Sequence, residues 1–117
     1  MATYSRVALS ESAEGAWGIK IVQTVTAGTA IHDSHATAQD ELWLWAWNSR
    51  ATSQLFTLEI DGVEDPDDIL EVTLEPNTAG LQLIVPGAIV VTGTAAIAGF
   101  AANANEVIIH GYVNRIT

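Results

Sequence analysis

Apolar and polar residues alternate with a period of two along most of the chain, the spacing of strands with one face in a core. Leu42 to Trp47 is the clearest case: Trp43, Trp45 and Trp47 share one face, and Leu42, Leu44 and Ala46 the other. With both faces apolar, this strand is expected in the middle of a sheet or with one face in an interface. Leu55 to Ile60 puts Phe56, Leu58 and Ile60 inward and Thr57 and Glu59 outward; Leu70 to Leu74 repeats the pattern. Gly18 to Thr26, Leu81 to Val85, Ala88 to Thr94 and Glu106 to Ile116 complete the readable strands, with Ala95 to Ala104 as a bent strand and loop.

Turn chemistry separates them: Asn48 to Ser53, an acidic loop from Asp61 to Asp68, Pro76 to Gly80, and a tight turn at Pro86-Gly87. Residues 27–40 read as a long polar connection. Short strands with turn signals every 8–12 residues, and no amphipathic helix, predict an all-β fold. The expected architecture is a single-domain antiparallel β-sandwich, jelly-roll-like, with seven or eight strands. Residues 1–16, small and polar, are expected to form an N-terminal arm ordered on a partner, and residues 17–117 the sandwich domain.

Composition narrows the function. Four Lys plus Arg against 14 Asp plus Glu give a net charge of −10 over 117 residues, which argues against nucleic acid or an anionic membrane as a direct partner. The absence of Cys removes disulfides, thiolate metal sites and cysteine nucleophiles. From Pro76 to Asn105 no residue is charged. That stretch exceeds a membrane span of about 20 residues, but Pro86, Gly87, Gly93 and Gly99 interrupt it, and buried sheet is the expected reading. Residues 1–10 lack the apolar run of a signal peptide.

Few residues offer chemistry. His32, Asp33 and His35 lie close in sequence without a third or fourth metal ligand at a metal-site spacing, so they read as loop histidines, and His110 as a packed or interface residue. Seven of the acids fall between Glu59 and Glu71. Asp61, Asp65, Asp67 and Asp68 are the weak candidates for a divalent cation, although the EF-hand pattern is absent and a solvated acidic loop is the simpler reading. No nucleophile elbow, P-loop or dinucleotide fingerprint occurs, so no catalytic residue and no cofactor is assigned. Trp43, Trp45 and Trp47 read as core or subunit interface, with an aromatic platform for carbohydrate as the alternative.

In order, the chain shows Y-S-R, G-I-K-I at 18–21, G-T-A-I-H at 28–32, E-L-W-L-W-A-W-N at 41–48, D-P-D-D at 65–68, L-I-V-P-G at 83–87 and H-G-Y-V-N-R-I at 110–116. This set resembles the small β-rich virion proteins of tailed bacteriophages, in particular capsid decoration (cement) proteins. The resemblance implies a non-enzymatic protein, assembled in the host cytoplasm, that sits on the outer surface of the head. It would bind the major capsid protein, commonly as a homotrimer, and stabilise contacts between capsid subunits. Tyr4 and Arg6 in the arm are then the expected capsid-binding residues, and removal of residues 2–14 is expected to weaken capsid binding without harming the fold. A head–tail connector or tail protein, and a carbohydrate-binding module for host attachment, are the alternatives.

Overall fold

A computed structural model describes residues 3–12 and 18–117. It is all-β, with two antiparallel sheets packed face to face. Nine strands are present among the described residues: β1 (Tyr4–Ala8), β2 (Ile19–Ile21), β3 (Thr29–Asp33), β4 (Gln39–Asn48), β5 (Gln54–Ile60), β6 (Ile69–Leu74), β7 (Gln82–Val91), β8 (Ala96–Ala101) and β9 (Val107–Ile116). The five-stranded sheet runs β1-β9-β4-β7, with β2 sharing the β1 edge of β9; the four-stranded sheet runs β3-β8-β5-β6. The sandwich reading holds, with more strands than the alternation alone delivers.

The core is built by the inward half of each alternation. Leu42, Leu44 and Ala46 of β4 face Phe56 and Leu58 of β5, with Ile19, Ile21, Ile31, Ile97, Ile109 and Val113 filling the space between the sheets. Each of these larger side chains contributes about 1.5–3 kcal/mol by leaving water. Strand β4 is central, paired along its full length with β9 from Gln39↔Ile116 to Asn48↔Val107 and on its other side with β7.

Four expectations are corrected. The part of the arm at Tyr4–Ala8 is an edge strand, paired with β9 from Tyr4↔Ile116 to Ala8↔Tyr112, and Leu9 behind it is buried in the core. Removing residues 2–14 would therefore strip an edge strand and a core side chain, and cost stability. Residues 13–16 of the expected arm lie outside the described residues. The polar connection at 27–40 contains β3, whose Ile31 and His32 are both buried. Pro86-Gly87 does not turn the chain: β7 runs through it as a bulged edge strand, where a residue without an N–H costs no ladder bond. Thr57 and Glu59 point to the outer face of the four-stranded sheet as expected, but both are buried. Over Glu59, a loop folds back so that Thr26 Oγ1 and the Gly28 amide donate to its carboxylate.

Among the described residues, no fully buried side-chain nitrogen or oxygen lacks a hydrogen-bond partner. Asn48 donates to the carbonyls of Thr52 (2.9 Å) and Glu75 (3.1 Å), and its Oδ1 accepts from the Arg50 amide (3.0 Å) and from Gln54 Nε2 (2.8 Å). This one amide ties the end of β4, the following turn and the end of β6 together. Asn48→Ala orphans several of these buried groups and is expected to cost about 2 kcal/mol, read as a lower urea midpoint at unchanged slope. At the opposite corner, Thr3 and Thr117 exchange two backbone bonds of 2.9 Å.

Candidate functional site

Directly opposed residues of an antiparallel pair share a face, so the register defines what the five-stranded sheet presents outward. One row crosses Ala8, Tyr112, Trp43 and Pro86; the next, His110, Trp45 and Leu83; a third, Ile108 and Trp47. The three tryptophans thus stand outside the core, on the outer face. Trp43 and Trp45 are half-buried by each other, with ring centroids 6.3 Å apart and planes 24° apart. Tyr112 packs on both, at 6.4 and 5.9 Å. Gly87 makes room for this cluster. At φ +73° it adopts a conformation disfavoured for other residues, and a Cβ there would lie 2.6 Å from the Trp43 ring. Leu83, Val90 and Tyr4 extend the face as exposed apolar side chains.

Charge on this face is sparse and specific. Arg6 sits over the Tyr112 ring, 4.1 Å from its centroid. Glu41 accepts from Trp43 Nε1 (2.8 Å) and Asn114 Nδ2 (3.1 Å), and these bonds hold its carboxyl below the ordinary range. Arg6 and Lys20 make no ion pair among the described residues, whereas Arg50 pairs with Glu106 and Arg115 with Asp40. The seven acids between 59 and 71 belong to β5, β6 and their connecting loop, on the other sheet.

The histidines are not loop residues of one kind. His32 is 1% exposed, and its Nδ1 accepts the Ser10 amide (3.0 Å). Its Nε2 therefore carries the proton and donates to Asp40 Oδ2 at 2.9 Å. Asp40 is also held by Arg115 through Nε (2.8 Å) and Nη2 (3.0 Å), and by the His35 amide (3.2 Å). Ser10, His32 and Asp40 thus converge by residue type on a hydrolytic triad, but the geometry differs. Ser10 meets the ring through its backbone amide, while its hydroxyl accepts from the Asp33 amide (2.7 Å). With both ring nitrogens engaged, this His32 has no lone pair left to take a proton from a nucleophile. The network is a structural clasp between β3, β4 and β9. Nothing in the local sequence signalled it, because its side-chain partners lie 8 to 75 residues apart and only the His35 amide comes from nearby.

The acidic loop does not gather into a cation site. Asp61 Oδ1 accepts the Ala96 amide and Asp68 Oδ2 the Glu64 amide. Among the described residues, no three acids or histidines are placed to hold a metal ion. His110 is half-buried beside Trp45 on the aromatic face, and no helix of the described residues is long and apolar enough to cross a membrane. Comparison with protein families, curated proteins and solved structures found no match to this chain. The phage resemblance therefore stands on the quoted motifs alone, and the aromatic outer face is the candidate functional site.

Proposed function

We propose that the protein is a non-enzymatic capsid decoration protein that docks through the outer face of its five-stranded sheet. In this reading it lies on the outer surface of a phage head and binds the major capsid protein, as a homotrimer. One observation carries the docking reading: a solvent-facing sheet surface of Trp43, Trp45, Trp47 and Tyr112, continued by exposed Leu83, Val90 and Tyr4. Trp, Tyr and Arg are the residues enriched where protein partners bury surface. Arg6, held on Tyr112, supplies a cation at the edge of that surface. Seven of the fourteen acids sit on the opposite sheet, away from the contact, where like charge costs docking little, and Glu41 on the docking face is already engaged by Trp43 and Asn114.

A sugar platform is the weaker use of the same face. Sugars need free hydrogen-bonding groups beside the rings, and here the β7 flank is Leu83, Pro86 and Val90, while Glu41, Asn114 and Arg6 on the other flank are engaged within the face. The indole N–H of Trp43 is already donated to Glu41, and that of Trp47 to the Asn77 carbonyl.

Two measurements test the proposal. Purified virions should contain this chain at near one copy per major capsid protein; a few copies per particle would move it to the connector or tail. Leu83→Glu should leave the melting temperature within a few degrees, since the side chain is exposed. It should also weaken coating of stripped capsids by about tenfold or more, the cost of a charge stranded in a buried contact. Coating at the wild-type concentration would sink the docking reading.

A further inference from the structure

We propose that a recess on the outer face of the four-stranded sheet binds a lysine or arginine side chain presented by a partner protein. The site does not depend on the docking face, which lies on the other sheet. Its volume is about 330 Å3, at the small end of ligand-sized cavities. The floor is a cross-strand row: Thr57 of β5, with Glu71 of β6 and Phe100 of β8 in register on either side. Leu55 and Ile69 flank the row, and the acidic loop contributes Val63 and Asp65.

Three observations converge on a cationic group with an apolar stem. First, Leu55 and Val63 are large apolar side chains left exposed at this spot, and nothing in the core accounts for them. Second, among the described residues the carboxylates of Asp65 and Glu71 accept no hydrogen bond and form no ion pair. Of the neighbouring acids, Glu59, Asp61 and Asp68 are engaged by protein donors, and Glu64 and Asp67 do not line the recess. Third, no Lys or Arg occurs between Arg50 and Arg115, so the chain itself offers this region no nearby countercharge in sequence. A bare metal ion fits poorly, since the loop assembles no ligand set among the described residues. A long basic side chain fits each part: its methylenes lie along Phe100 and Ile69, and its head meets Asp65 and Glu71. Strand β6 is an edge of its sheet, so an extended partner segment can run alongside the recess.

The probe is the capped peptide acetyl-Leu-Arg-Leu-amide, titrated into the full chain carrying labelled Leu, Val and Ile methyl groups. Saturable shifts are expected at Leu55, Val63 and Ile69. Replacing the arginine by citrulline, which keeps the shape and removes the charge, should weaken binding by about tenfold or more. The double variant Asp65→Asn, Glu71→Gln should do the same with an unchanged melting temperature, which separates a lost site from a lost fold. Equal binding of the citrulline peptide, or shifts confined to the aromatic face, would overturn the proposal. So would displacement of the arginine peptide by millimolar calcium chloride, which would mark the recess as a metal site.

Discussion

Gly111→Ala is expected to lower the melting temperature by about 15 °C or more, or to prevent folding. Gly111 sits in the middle of β9, opposite Leu44, at φ +154°. A Cβ at this position would lie 2.1 Å from the Trp43 carbonyl oxygen and 3.1 Å from Leu44 Cα. Both atoms are backbone of the central strand, so no side chain can swing aside. The two strands must separate locally or the ladder must break, and this ladder joins the two halves of the five-stranded sheet. Backbone strain of about 1–3 kcal/mol and overpacking of about 1–3 kcal/mol together reach about 4 kcal/mol, a large share of a domain's total stability. At about 4 °C per kcal/mol for a chain of this length, a scanning calorimetry trace decides the matter. A shift of under about 5 °C would mean that the strands part more easily than their packing implies.

The second large effect belongs to Asp40. This carboxylate is completely buried and bridges His32, Arg115 and the His35 amide. Burial pushes its carboxyl up, and the hydrogen bonds from Arg115, His32 and the His35 amide more than offset that, so the net position is below the ordinary value. The arginine is correspondingly held in its charged form, chiefly by its hydrogen bond to Asp40. Asp40→Ala leaves the His32 N–H and the Arg115 guanidinium without their acceptor. The expected loss is about 3 kcal/mol, at the low end for a broken buried pair because Arg115 is partly exposed and can recover some hydration.

The pH dependence follows from the direction of the shift. A folded-state value below the unfolded one stabilises the protein above the unfolded value, about pH 4. That contribution disappears as the pH falls through the folded value. Many other carboxylates titrate in the same range, so the informative quantity is the difference between wild type and Asp40→Asn. Urea midpoints should differ most at pH 7 and converge toward pH 3. Parallel curves would show that the clasp contributes no proton linkage.

Period-two alternation was enough to place β4, β5, β6 and β9, because each has an inward aliphatic face over four or more residues. It could not say which face of β4 is the inner one, since both are apolar. Packing decided that: Leu42, Leu44 and Ala46 fit between the sheets, and the bulkier indoles spread over the outside beside Gly87. β3 escaped notice because its buried His32 looks polar in sequence. Its burial is affordable only through Ser10 and Asp40, and Asp40 in turn through Arg115. β1 escaped for a related reason, being held by backbone pairing to β9 rather than by a hydrophobic stripe. Trp43, Trp45 and Trp47 were legible as a stripe, and Tyr112, which completes their cluster from β9, only through the register. The recess combines three neighbouring strands with a loop, so no local pattern announces it. The one sequence signal was the acidic run beside Leu55 and Val63.

The pairing of Thr3 with Thr117 also decides how the molecule would bear load. Tension applied between Thr3 and Thr117 acts at one end of the antiparallel β1–β9 pair. Its hydrogen bonds would open in sequence, each carrying the force in turn, like a zipper. Shearing the strands lengthwise would instead require many bonds to fail at once. A load passed through the sheet faces would spare this pair, whereas one passed through Thr3 and Thr117 would peel it open.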